Sequence, residues 1–155
     1  MPDNPDTPGV IAKPPTIYSA AIVVALLLHF MAPLPITPAP VRLWIGLIVL
    51  ALGGVLMYFA QGEFRNCETS EDTNVATTTI VTGGPYRFSR NPMYVSLTLM
   101  LLGIGLTANV WWILVMVVPV LVVMHVGVIF REERYLEQKF GQVYRDYRVS
   151  VRRWL

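Results

Sequence analysis

The chain has 155 residues, of which 54% are hydrophobic and only 14% charged, with a net charge of +2. A soluble domain carries about 25% charged residues, so the composition points to a bilayer as solvent, and the near-neutral balance excludes the clustered basic footprint of a nucleic-acid binder. The single cysteine, Cys67, excludes an internal disulfide and offers no metal-ligand spacing.

Residues 1–15 hold five prolines and no periodic apolar pattern, and read as a mobile tail ahead of one membrane domain over 16–155. Lys13 ahead of an apolar stretch superficially suggests a signal peptide. Three further apolar runs and the lack of a small-residue cleavage site argue against removal. Four spans are expected, at about 17–34, 41–60, 93–108 and 111–130; roughly 17 to 25 residues cross a bilayer. The third is short, but Thr107-Ala108-Asn109-Val110 suits a tight helical hairpin into the fourth. Between the first two spans, Pro33 to Pro40 is stiffened by four prolines. The glycines Gly53, Gly54, Gly103 and Gly105 lie inside spans, where small residues permit close helix packing.

The connection from Gln61 to Asn91 is long for a compact molecule and therefore a place to look for function. Its β-branched part, Thr77 to Val81, could lie extended across the helix ends, and Gly83-Gly84-Pro85 permits a sharp turn. Asn91-Pro92 is a helix start, with Asn at the N-cap and proline at the first helical position. Its free N–H groups, beside Arg87 and Arg90, make a ready anion site.

After the fourth span, residues 131–149 read as an amphipathic helix with Leu136, Phe140, Val143, Tyr144 and Tyr147 on one face and Gly141 as its weak point. Composition does not separate a helix lying on headgroups from a lid packed beneath the bundle. Glu132 and Glu133, flanked by Arg131 and Arg134, are read first as a solvated pair. His125 stands two turns before Glu132 on nearly the same face. Tyr86, Tyr94, Tyr135, Tyr144 and Tyr147 fit an interfacial belt.

With four spans, eleven of the twelve Lys and Arg residues fall on the side of the termini and the long loop, and only Arg42 lies opposite. The positive-inside rule then puts both termini in the cytoplasm of a bacterial-type inner-membrane protein, and Trp44, Trp111 and Trp112 at the outer interface. The expected fold is all-α and integral to the membrane: four transmembrane helices plus a C-terminal cytoplasmic amphipathic helix. No phosphate-binding or dinucleotide-binding glycine pattern and no His/Cys metal cluster is present in the sequence.

Two ordered motifs carry more than composition can. Ile80 to Tyr94 contains Ile-Val-Thr-Gly-Gly-Pro-Tyr-Arg, then Arg-Asn-Pro-Met-Tyr. Two apolar helices later, Glu132 to Tyr147 contains Glu-Glu-Arg-Tyr-Leu, then Phe-Gly-Gln-Val-Tyr-Arg-Asp-Tyr. In this order they resemble the isoprenylcysteine carboxyl methyltransferase and phospholipid methyltransferase superfamily, from Thr77 onward. The resemblance implies an integral-membrane enzyme that uses S-adenosylmethionine in a cytosol-facing pocket. Carried over, the cofactor contacts are Thr79, Ile80, Val81, Tyr86, Arg90, Asn91, Pro92, Tyr94, Glu132 and Glu133, within a cofactor loop at 77–92. No catalytic residue is assigned; if the acceptor is an amine, Glu133 or His125 would be the candidate base. Asn91 replaces the histidine of the prenylcysteine enzymes, and Val128 stands where the eukaryotic ones have a substrate-contacting arginine. The implied acceptor is lipid-like or a small hydrophobic molecule reached from the bilayer, with no nucleic acid or metal as partner. A phospholipid amine acceptor, a non-enzymatic relative without the cofactor, and a nicotinamide-dependent sterol-type reductase are the alternatives.

Overall fold

A computed structural model describes residues 7–36, 40–67, 69, 72 and 76–154. Its helices are α1 (Pro14–Met31), α2 (Val41–Asn66), α3 (Pro92–Ala108), α4 (Trp111–Met124), α5 (Phe130–Phe140) and α6 (Gln142–Ser150). A π turn at His125–Ile129 joins α4 and α5 into one 30-residue helix. No strand occurs among the described residues. Three helices, α1, α2 and the joined α4–α5, are long and apolar enough to cross a membrane. The fourth apolar helix, α3, has 17 residues, or about 25 Å of rise. The molecule is an all-α, multi-pass integral membrane protein.

Helix bounds depart from the hydropathy reading for identifiable reasons. The first helix starts at Pro14 rather than 17, because proline at a first helical position needs no N–H partner. The second runs six residues past the expected end at Ala60, to Asn66. Hydropathy marks where the bilayer stops, whereas the backbone ladder continues through the polar residues beyond it. The expected helix over 131–149 is instead two. Its first half continues the fourth span through Phe140, and the chain breaks at Gly141, whose φ of 56° favours glycine. About 20 residues suffice to cross a bilayer, so the joined helix of 30 residues is longer than one crossing needs, and its charged half is α5.

Composition points to a mobile tail over 1–15, yet its described part is docked. The Ile11 amide donates to the Gly127 carbonyl at 3.2 Å, and Arg131 donates to the Gly9 carbonyl at 2.6 Å. Lys13 pairs with Asp72 at 2.7 Å. The π turn supplies the acceptor of the first contact, and Gly127 within it has no side chain to keep Ile11 away.

The most extensive interface joins α2 to α3; α4 packs on both α1 and α3. Glycines set the first of these. A Cβ on Gly103 would lie 2.7 Å from the Leu50 amide nitrogen and 2.9 Å from the Gly46 carbonyl, and one on Gly53 would lie 3.0 Å from the Ser96 carbonyl. Gly105 meets Ile113 and Leu114 of α4, whereas Gly54 faces open space. Asn109, at φ 61°, ends α3 in the left-handed conformation and turns the chain into α4. Arg42 donates to the Leu106 and Thr107 carbonyls at that end, where cations suit the helix dipole. Replacing Arg42 with Ala should destabilise the protein by about 1–2 kcal/mol, read by chemical unfolding in detergent.

Candidate functional site

At the membrane end that carries the start of α3, the loop before it is fixed from several sides. The Thr77 amide donates to the Tyr135 hydroxyl at 3.2 Å. Val81 is buried against Ala60 and Tyr86. Gly84 takes φ 51° and opens a short 3-10 turn, Gly84–Arg87. The Glu63 carboxylate lies against Gly83 and Gly84, where any Cβ would collide with it. Tyr86 points inward, its ring edge-on to Phe64 at 5.6 Å, and its carbonyl accepts from the Tyr147 hydroxyl at 2.8 Å.

Asn91 does precede the first helical residue, Pro92, but its side chain does not cap the helix. Its amide donates instead to the Arg153 carbonyl at 2.9 Å, while Ser89 accepts from the Asn91 main chain. The segment from Val151 to Trp154 has drawn the cap away. Tyr94 and Val95 turn their N–H groups back to the Asn91 carbonyl, so part of the first turn is satisfied internally.

Neither glutamate is solvated. The Tyr94 hydroxyl donates to Glu132 Oε1 at 2.6 Å. Burial pushes the Glu132 carboxyl up to about 7; the hydrogen bond from Tyr94 works the other way and the neighbouring Glu133 charge adds to the rise. Replacing Tyr94 with Phe should therefore raise the Glu132 pKa further, visible in the pH at which its infrared carboxyl band disappears. Glu133 is buried and meets two guanidinium groups: Arg90 Nη1 at 2.9 Å, and Arg153 through Nε at 2.9 Å and Nη2 at 2.8 Å. The flanking Arg131 and Arg134 stay exposed. Burial likewise raises the Tyr144 and Tyr147 phenols.

These groups surround one cavity of about 360 Å³, within the size range of small-molecule sites. Nine of the ten residues singled out from the sequence line it: Thr79, Ile80, Val81, Tyr86, Arg90, Asn91, Tyr94, Glu132 and Glu133. Pro92 is fully buried behind them. All five tyrosines assigned to an interfacial belt also line the cavity, because the helix ends converge there. His125 does not; the π turn breaks the two-turn register with Glu132, and its ring packs on Phe130 at 4.8 Å. Sequence reasoning missed Gln61 and Phe64, which reach the cavity on the extension of α2, and Lys13 from the docked tail. It also missed Arg153. A polar but helix-compatible Gln-Gly-Glu-Phe-Arg-Asn run was the available signal for the first two. No group of residues that could hold a metal ion occurs among the described residues.

The arrangement offers an acceptor carboxylate, an amide, aromatic rings and an apolar floor at a membrane surface. No solved structure matches the chain. An uncharacterized protein of Haemophilus influenzae is 45% identical over 65 residues, which is 41% of this chain and all of the relative. The family profile described as phospholipid methyltransferase matches residues 41–143, from the start of α2 into α6. The chain therefore belongs to the phospholipid methyltransferase family, within the isoprenylcysteine and phospholipid methyltransferase superfamily.

Proposed function

We propose that the cavity holds S-adenosylmethionine and that the protein transfers its methyl group to a lipid-like or small hydrophobic acceptor. The observation that carries this reading is the convergence of both sequence motifs on one cavity at the membrane end. The donor set fits such a cofactor. Glu132 offers carboxylate oxygens to ammonium or hydroxyl donors, the rings of Tyr86 and Phe64 offer an edge or face to a purine, and Asn91 stands at the helix start. When bound, S-adenosylmethionine would supply an activated methyl group on a sulfonium, taken by in-line displacement. The chain contributes positioning: Glu132, held by Tyr94, fixes one side of the cavity and the loop at 77–91 the other. Holding donor and acceptor at near-attack distance contributes several kcal/mol. Met57, Met93 and Leu97 carry the cavity wall toward bilayer depth, and α1 and α2 make no extensive contact there. An acceptor dissolved in the membrane would enter on that side.

The basic-residue distribution supports a reading with four spans and with the cavity and both termini on the cytoplasmic face. The family's description supports a phospholipid acceptor, for which a headgroup amine is the candidate group, and a prenylcysteine carboxylate is the other reading. Incubation of the protein in nanodiscs of native lipid extract with methyl-labelled S-adenosylmethionine separates these. Label in the organic phase is expected; base releases it as volatile methanol from a methyl ester, whereas from an N-methylated headgroup it stays in a non-volatile amine. No label in any lipid fraction or hydrophobic acceptor pool would count against the reading.

A further inference from the structure

We propose that Arg153 is a positioning residue that ties the two sides of the cavity together, holding Glu133 with its guanidinium and Asn91 with its main-chain carbonyl. The inference rests on the reading of the cavity as a cofactor site. Arg153 does not itself line the cavity, whereas Glu133, Asn91 and Arg90 all do. Its guanidinium makes two parallel bonds to Glu133, at 2.9 and 2.8 Å, and lies over the Phe130 ring at 5.2 Å. Its carbonyl accepts from the Asn91 amide at 2.9 Å and from Ser89 at 3.4 Å, and the adjoining Arg152 carbonyl accepts from the Arg90 amide at 2.9 Å.

One residue thus connects α5 with the loop entering α3, the two segments that face each other across the cavity. Both Glu133 oxygens are engaged by arginines, so Glu133 acts in the cavity wall through its partners rather than as an open acceptor. A bidentate fork stacked on an aromatic ring is a geometry that lysine cannot reproduce.

The test compares S-adenosylmethionine binding by calorimetry for the wild type, Arg153→Lys, Arg153→Gln, Asn91→Ala and Arg153→Gln with Asn91→Ala. Thermal unfolding of each ligand-free protein is measured alongside. Arg153→Gln is expected to weaken binding by about tenfold or more, the scale of a lost charged hydrogen bond. Arg153→Lys should fall between it and the wild type. Adding Asn91→Ala to Arg153→Gln should cost less than Asn91→Ala costs in the wild type, because a segment no longer held at Glu133 fixes the carbonyl that Asn91 donates to less firmly. Wild-type affinity in Arg153→Gln with a lowered unfolding midpoint would mean a structural anchor only, and would overturn the inference. Full additivity with Asn91→Ala would also overturn it. Should Arg153→Gln not fold, weaker binding by Arg153→Lys at an unchanged midpoint supports the inference, and unchanged affinity defeats it. A wild type that fails to bind defeats the functional reading as well, whereas loss confined to this comparison defeats the role of Arg153 alone.

Discussion

Replacing Glu132 with Gln is expected to weaken S-adenosylmethionine binding about 10- to 100-fold, the range for hydrogen bonds to a charged group, while making the ligand-free protein more stable above pH 7. Both effects come from one buried carboxylate. Its ordinary pKa of 4.5 rises to about 7 in the folded protein, chiefly through burial. Between those values the folded state keeps a proton that the unfolded chain releases. Stability contributed by this group therefore falls as pH rises from about 4.5 to 7 and stays low above. Glutamine has no proton to lose and can still accept from the Tyr94 hydroxyl. Its advantage in unfolding midpoint should appear at pH 8 and vanish near pH 4.5. Wild-type affinity should rise as pH passes through about 7, since the ionised form accepts the cofactor's donors, and the variant should lose that rise. A Glu132→Gln protein that is less stable at pH 8 would contradict the strained carboxylate.

A second large effect is expected far from the cavity. Gly103→Leu should destabilise the protein by about 3 kcal/mol or more, at or beyond the upper range for overpacking. The atoms in the way are main chain, the Leu50 amide at 2.7 Å and the Gly46 carbonyl at 2.9 Å, so no rotamer change can relieve the clash. Only separation of α2 from α3 can. Because α2 carries Gln61 and Phe64 to the cavity, that separation should weaken cofactor binding too. Gly54→Ala is the matched control on the same helix. Its Cβ would meet nothing within 4 Å, and its stability should be unchanged or raised by up to about 1 kcal/mol, since alanine is the better helix former. Unfolding by chaotrope in mixed detergent reads both.

Much of this architecture is legible in the chain because bilayer crossing imposes one strong pattern. The apolar runs gave the order and approximate place of the four apolar helices, and Asn109 closes the expected tight hairpin. What hydropathy could not mark was where helices end once they leave the membrane. For that reason the extension of α2 through Asn66, and with it Gln61 and Phe64, escaped notice. The solvated reading of Glu132 and Glu133 failed because it weighed only their sequence neighbours. Their partners, Tyr94, Arg90 and Arg153, come from 20 to 43 residues away. Arg153 carried no local signal at all, since its role is defined by the groups it reaches. The π turn is similarly invisible in the sequence, and it undid the proposed register of His125 with Glu132.

The most direct test is calorimetric titration of S-adenosylmethionine into the purified wild type and Glu132→Gln, in detergent and in nanodiscs at pH 8. One site per chain in the wild type, weakened about 10- to 100-fold by the substitution, is the predicted result. Absence of binding to the wild type in every membrane mimetic, or equal affinity in the two proteins, would contradict the assignment of the cavity.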